Sequence, residues 1–269
     1  MSFNNQYQKL IKSRLKVEIL TQLLNEDKIL ADLVEKTNSS GSTILHALKD
    51  LEIQNLTFKE SKKYKLTSLG RMQAILINEV FSAIEVLKKF QDYWLFHDIT
   101  PIPPKLIKDI GLLQDSILIQ NGSTELERVH ASFQQILFTS KNVKGVSPIF
   151  HSDYVKIFRS LLEDGATIEL ILTSEVLKRI LLITPQEMDE LVKYLINNKL
   201  KLFIKDDLKI ALTVTENSFS FGLFTKEGEY DYSFDIISNS KNAIEWGNSF
   251  FQYQLQEAKI VDVEVLTRL

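Results

Sequence analysis

Three of the chain's five prolines fall within four positions, Pro101, Pro103 and Pro104 in FHDITPIPPKLI. Proline lacks the backbone N–H that a helix needs, and it disfavours helix in the residue before it. The segment therefore ends the long periodic apolar series that precedes it, Leu69, Met72, Leu76, Val80, Ala83, Leu87, Phe90 and Trp94. A junction near residues 97–104 is expected. At 269 residues the chain also exceeds a common single-domain size, so two domains are expected.

Charge differs on the two sides of that junction. Residues 1–96 carry 14 Lys+Arg and 11 Asp+Glu, net +3, and the remaining 18 basic and 24 acidic residues give net −6. A mildly basic head on an acidic body places any polyanionic partner at the head. The absence of cysteine removes thiolate nucleophiles, Cys-ligated zinc and disulfides together. The N-terminus MSFNNQYQKL has no apolar leader, and no apolar run approaches membrane-spanning length. A cytoplasmic protein that neither crosses nor binds a membrane is expected.

The head predicts three short helices followed by a hairpin. Leu10, Leu15, Ile19, Leu23 and Leu24 predict an amphipathic helix over Leu10–Leu24, and KILADLVEKT predicts a second that stops at Asn38-Ser39. The third lies in SSGSTILHALKDLEIQNL: Ser39 or Ser40 can cap it, Ile44, Ala47, Leu48 and Leu51 form its inward stripe, and Asn55 suits a left-handed residue at its end. LTFKESKKYKL then reads as a basic hairpin around the turn Glu60-Ser61-Lys62-Lys63. Thr67 can cap the long helix that continues to Trp94, whose length and stripe predict a homodimer through residues 67–96.

This order, helix–turn–helix then hairpin, is that of a winged helix-turn-helix, whose third helix enters the DNA major groove. The candidate DNA-contacting residues are Ser40, Ser42, Thr43, His46 and Lys49 on that helix, and Lys59, Lys62, Lys63 and Lys65 on the hairpin. Hydroxyl, imidazole and ammonium groups can donate to phosphates or base edges, and hairpin lysines suit phosphates. The plainer alternatives are lysines that are only solvated, or a winged helix that contacts protein.

Beyond the prolines, SILIQ (116–120), a helix around 124–138, VKGVSPIF (143–150), a helix over 152–163, ATIELILT (166–173) and helices through Asn197 alternate, which predicts an α/β domain with a largely parallel sheet. KLFIKD, KIALTVTE, SFSFGLFT and YDYSFDII then read as a meander, closed by a helix with Ala243, Trp246, Phe250 and Tyr253 inward. Ligands gather at the carboxyl ends of parallel strands. That rule makes Ser147, His151, Tyr154, Thr173 and Glu175, with Lys209, the candidate effector-binding residues. The four histidines, at 46, 97, 130 and 151, show no metal-ligand spacing, and no Gly-rich phosphate loop occurs, so neither metal nor cofactor is expected.

YKLTSLG (64–70), FHDITPIPPKLI (96–107), VKGVSPIFHSDY (143–154) and LILTSEV (170–176) resemble the methanogenesis regulatory protein family of archaeal winged-helix transcription regulators. The resemblance implies a winged helix-turn-helix DNA-binding domain over 1–70, a linker and dimerisation helix with the Pro-rich junction over 71–104, and a regulatory domain over 105–269. The last is distantly similar to the phospholipase D-like sensor domains of TrmB-type regulators. Enzymes of that fold use H-x-K-x-x-x-x-D, for which KDDLKIALTV offers Asp207-Leu208-Lys209 and then Val214. The resemblance thus implies a non-catalytic, effector-sensing domain on a homodimeric regulator of double-stranded DNA. A phospholipase D-like phosphodiesterase or nuclease delivered by a winged helix is the alternative, and Asp206-Asp207 as a plain turn is the alternative to a motif remnant.

Overall fold

Leu33, Ile44, Ala47, Leu48 and Leu51 sit on the inward faces of two short helices, and their burial against Ile19, Leu20 and Leu23 makes one small core. The computed structural model describes residue 10 and residues 12–122, 127–138, 140–183 and 188–268, which form two compact units, residues 1–84 and 85–269. The division falls inside a helix, and Pro101, Pro103 and Pro104 follow within the second unit. The N-terminal residues 1–9 and the start of the helix expected around 124 lie outside the described residues, as do positions 184–187 of the helices expected through Asn197.

The first unit runs α1 (Arg14–Asn25), β1 (Lys28–Ile29), α2 (Leu30–Thr37), α3 (Gly41–Ile53), β2 (Thr57–Glu60), β3 (Lys63–Leu66) and into α4 (Ser68–Lys89). The helix expected from Leu10 is broken at extended Ser13: Leu10 and Lys12 are helical, Leu10 is buried, and α1 proper starts at Arg14. The second helix, expected from Lys28, starts only at Leu30. Lys28 and Ile29 instead pair antiparallel with Tyr64 and Lys63, giving a three-stranded sheet in the order β1-β3-β2.

Asn38 at φ +49° turns the chain between α2 and α3, and Asn55 at φ +57° ends α3 as its sequence position suggested. The Thr67 hydroxyl accepts from Gly70 N at 2.9 Å and donates to Asn55 O at 2.6 Å, so one side chain caps α4 and fastens it to the end of α3. A side chain at Gly70 is excluded, since a Cβ there would lie 1.8 Å from the Leu56 carbonyl oxygen.

The helix expected to run unbroken to Trp94 breaks at Phe90 (φ −112°, ψ 30°), and α5 (Gln91–Phe96) follows. Phe90 and Tyr93 are both buried at the break, with Trp94 edge-on to each. Upstream, Leu69, Met72, Leu76, Val80 and Leu87 of α4 are exposed along one stripe, four of the five by more than 44%.

In the second unit α6 (Pro104–Lys108) and a 3₁₀ turn (Ile110–Leu113) precede β4 (Ile117–Gln120). Then come α7 (Arg128–Phe138), β5 (Asn142–Ser147), α8 (Ser152–Glu163), β6 (Thr167–Leu172), α9 (Ser174–Ile183), α10 (Met188–Ile196) and β7 (Leu200–Ile204). The chain finishes with β8 (Ile210–Thr215), β9 (Phe219–Leu223), β10 (Phe234–Ser238), α11 (Lys241–Leu255), β11 (Lys259–Val261) and α12 (Val263–Arg268). The described strands form one sheet in the order β11-β7-β6-β5-β8-β9-β10-β4.

The expectation of a largely parallel sheet is wrong. Only β5–β6 and β6–β7 are parallel among the described pairs, where helices supply the crossovers. β8 returns beside β5 and opens the antiparallel run β8-β9-β10, onto whose far edge β4 folds back antiparallel. β7, read as the first meander strand, belongs to the parallel part. β5 stops at Ser147, before Pro148, which cannot donate to a ladder.

One face of this sheet is covered by α11, where Trp246 is edge-on to Phe219, Phe221 and Phe250, and its indole N–H donates to Leu106 O at 2.9 Å. Each such aromatic pair contributes about 0.5–1.5 kcal/mol beyond burial. Ala243, Trp246 and Phe250 face inward as expected, but Tyr253 is 41% exposed and Phe251 takes the inner position. The other face carries the cluster of Val143, Ile168, Leu170, Leu200 and Leu202 with Leu137, Leu161 and Leu177 from the helices.

Candidate functional sites

Two surfaces concentrate the chemistry. The first is the outer face of α3. Ser40 caps the helix, its hydroxyl accepting from Thr43 N at 3.3 Å and lying 2.9 Å and 2.7 Å from the hydroxyls of Ser42 and Thr43. Opposite the buried stripe of Ile44, Ala47, Leu48 and Leu51, the side chains of Ser42, Thr43, His46 and Lys49 are exposed. Asp50, an unfavourable charge for this face, is held by Lys16 of α1 at 2.8 Å and lies 3.8 Å from His46. The hydrogen bond from Lys16 holds the Asp50 carboxyl below its ordinary value.

On the hairpin, Ser61 takes φ +58° and presents Lys62 and Lys63 to solvent. Lys59 is exposed with its ammonium 5.1 Å from the centre of the Tyr64 ring. Lys65 differs: it is shared between Asp27 at 3.1 Å and Glu60 at 2.8 Å, two acids that already neutralise it.

The second surface is a cavity of about 310 Å³ in the second unit, between the sheet and α7 and α8. Among the expected effector residues, Ser147, His151 and Tyr154 line it. The other three lie apart: the Thr173 hydroxyl caps α9 through Val176 N, Glu175 pairs with Arg179 at 2.6 Å, and Lys209 lies 3.8 Å from Asp98. Asp206 accepts from both N and Oγ of Ser174 in the turn between β7 and β8. The segment compared with H-x-K is thus a turn that ties down α9, and Asp206 and Asp207 are not among the lining residues.

Tyr154 stacks with His130 and packs on His151 and Phe133, with centroids 5.4, 4.9 and 4.7 Å away. His151 caps α8, its Nδ1 accepting from Asp153 N. Histidines that are far apart in sequence thus meet, and atoms of His130, His151 and Asp153 fall within 4.8 Å of one another. His130 Nδ1 is 3.2 Å from the Tyr154 hydroxyl and its Nε2 is 3.0 Å from Gln134 Nε2, so both ring nitrogens already have neighbours.

Sequence reasoning missed the floor of the cavity. Asp235 of β10 is 5% exposed, and its Oδ2 accepts from the Ser220 hydroxyl of β9. Among the described residues no side chain donates to its Oδ1, and the nearest polar groups are the backbone N–H of Phe221 and Ile236. Burial raises the Asp235 carboxyl from 3.8 to about 7, against the opposing pull of the Ser220 hydroxyl and of the Phe221 and Ile236 backbone N–H groups. The Tyr154 and Tyr230 phenols are pushed up by burial and then by the Asp235 charge. Tyr230 and Tyr232, edge-on at 4.9 Å, line the same cavity. Gly222 makes room for Tyr230, since a Cβ there would lie 2.3 Å from the phenolic oxygen. A charged residue inside the otherwise strand-like YDYSFDII was the available signal.

Residues 4–85 match the family model "Methanogenesis regulatory protein FilR1, N-terminal domain", and residues 126–257 match the model of the middle domain of the same protein. The chain belongs to this family. The family found is the one that the motifs resembled; YKLTSLG lies in the first matched span, and VKGVSPIFHSDY and LILTSEV lie in the second.

The methanogenesis regulatory protein FilR1 of Methanothrix harundinacea (strain 6Ac) is 30% identical over 262 residues. The match covers 96% of this chain and 58% of that protein, so the chain spans little more than half of its relative's length. A solved structure of TrmBL2, an archaeal chromatin protein, is similar at 13% identity and a TM-score of 0.44, covering 94% of this chain and 98% of that one. The phospholipase D family member Nuc from Salmonella typhimurium is similar at 12% identity and a TM-score of 0.39, over 55% of this chain and 99% of that one. Likenesses at that level leave the fold to be read from the chain itself. Among the described residues, no helix is long and apolar enough to cross a membrane.

Proposed function

We propose that this chain is a cytoplasmic transcription regulator that binds double-stranded DNA through a winged helix-turn-helix and responds to a small effector held by its second unit. The observation that carries the reading is α3, whose capped N-terminus and polar face of Ser40, Ser42, Thr43, His46 and Lys49 are turned outward in a unit whose hairpin also exposes Lys59, Lys62 and Lys63. Small hydroxyls and one imidazole suit base edges and phosphate oxygens in a major groove, and Lys59, Lys62 and Lys63 suit the backbone. Lys65, already neutralised, contributes less to phosphate binding.

Family membership supports a regulatory protein, and FilR1 is by name a regulator of methanogenesis. A homodimer through α4 follows from its exposed stripe of Leu69, Met72, Leu76, Val80 and Leu87, spaced so that a second copy would bury them. The cavity above Asp235 is the place for the effector. The reading of the second unit as a phosphodiesterase has less support, because among the described residues no His and Lys pair of the H-x-K kind faces the cavity from one strand; hydrolysis of a phosphodiester that is lost in His151→Ala would restore it.

The deciding experiment is a gel-shift titration of the protein against its own promoter region at several salt concentrations. Binding that weakens steeply with salt is expected, with log K falling by about 0.9 per phosphate contact for each decade of salt. No shift at low salt refutes the proposal.

A further inference from the structure

We infer that the cavity of the second unit is a site for a small organic cation, an alkylated ammonium, held between aromatic rings with the Asp235 carboxylate as its counter-charge. The inference rests on the proposed effector role of this cavity and names the class of effector.

Three observations converge. First, the permanent charge is one-sided: Glu127, Asp153 and Asp235 line the cavity with His130 and His151, Asp153 facing His151 and Lys156 at 3.8 Å, and no lysine or arginine is among the lining residues described. Second, rings arrive from two directions, Phe133 and Tyr154 from α7 and α8, and Tyr230 and Tyr232 from the segment before β10. The face of a phenyl or phenol ring attracts a cation within about 6 Å, most strongly where water is excluded.

Third, the buried carboxylate is half-used. Its Oδ2 takes the Ser220 hydroxyl, while the buried Oδ1 has no side-chain donor and no well-formed hydrogen bond among the described residues, only the backbone N–H groups of Phe221 and Ile236 near the carboxyl. A buried carboxylate without a partner is costly, and a cation supplies the missing interaction. The rest of the lining narrows the class further. Val146, Leu170 and Leu172 offer apolar contact that suits alkyl groups. A neutral sugar would need several donors and acceptors, and the Ser147 and Ser220 hydroxyls are already engaged. A volume of about 310 Å³ is at the small end for ligand sites, which also favours a compact ion.

The test is isothermal titration of the full chain at pH 8 with trimethylammonium, tetramethylammonium and choline, set against 3,3-dimethylbutan-1-ol, the neutral carbon isostere of choline. Choline or a methylammonium is expected to bind at least about 10-fold more tightly than the isostere. Asp235→Asn should remove that preference and leave the weak binding of the isostere unchanged. Tyr232→Leu, at a side chain 60% exposed and so tolerant of change, should weaken cation binding in a protein that still folds. Equal binding of the isostere, tighter binding of an anion such as acetate, or no heat from any cation at millimolar concentration overturns the inference. A gel shift on the same samples separates the two proposals: DNA binding without cation binding sinks only this one, and cation binding without DNA binding sinks only the other.

Discussion

The Asp235 carboxyl should make the second unit less stable as pH rises through neutrality, which is opposite to most carboxylates. Its folded value, about 7, is above the ordinary 3.8 because burial disfavours the ionised form. Its contribution is therefore fully present below pH 3.8, is lost progressively as the unfolded chain alone ionises, and is gone once pH passes about 7. A difference of about three pH units at about 1.4 kcal/mol each is a loss of about 4 kcal/mol, of which about 3 kcal/mol falls between pH 5 and pH 8. That is a large part of the 5–15 kcal/mol by which a domain is usually stable.

Asp235→Asn keeps the shape and can still accept the Ser220 hydroxyl, but it no longer titrates. The assay is urea unfolding followed by tryptophan fluorescence, which reports on the second unit because both tryptophans, Trp94 and Trp246, lie within residues 85–269. The side-chain and backbone donors of Thr100 hold the Asp98 carboxyl below its ordinary value, and Ser174 does the same for Asp206. Their contributions are complete above pH 5 and cancel between the two proteins. Wild type should lose about 3 kcal/mol relative to Asp235→Asn from pH 5 to pH 8. Parallel loss in the two proteins, or a relative gain by wild type, refutes the assignment of a raised buried carboxyl.

Three further outcomes are expected. Neutralising Lys62 and Lys63 together should reduce the slope of log K against log salt by about 2 per protomer, read by fluorescence anisotropy on a promoter fragment, while the same change at Lys65 should alter it less. Gly70→Ala should destabilise the first unit by about 1–3 kcal/mol, measured as a lowered melting temperature in far-UV circular dichroism, because the new Cβ overlaps the Leu56 carbonyl. Leu76→Glu with Val80→Glu should convert a dimer to a monomer in analytical ultracentrifugation; a monomeric wild type would remove the basis for dimerisation through α4.

Periodicity made the helices of the first unit legible, because Ile44, Ala47, Leu48 and Leu51 recur at helical spacing and small hydroxyls mark the start of α3. β1 was not legible: two residues, Lys28 and Ile29, carry no period, and only pairing with Tyr64 and Lys63 makes them a strand. Strand existence in the second unit was also readable, but strand order was not. Nothing in the alternation of KIALTVTE tells that Leu212 will lie beside Val146 of β5 and not beside β7. His151 and Tyr154 stood out because they follow a strand, whereas Asp235 and Ser220 sit within strands and become a site only when β9 and β10 pair.

His97 closes the helical run that starts at Ser68, and it is 2% exposed. Its ring lies on Tyr93 at 4.2 Å, with Nδ1 donating to the Tyr93 carbonyl and Nε2 3.1 Å from the Asp231 carboxylate. Asp231 stands between Tyr230 and Tyr232, the two rings that wall the cavity. The helix end and the cavity wall are thus buckled together by a single side chain.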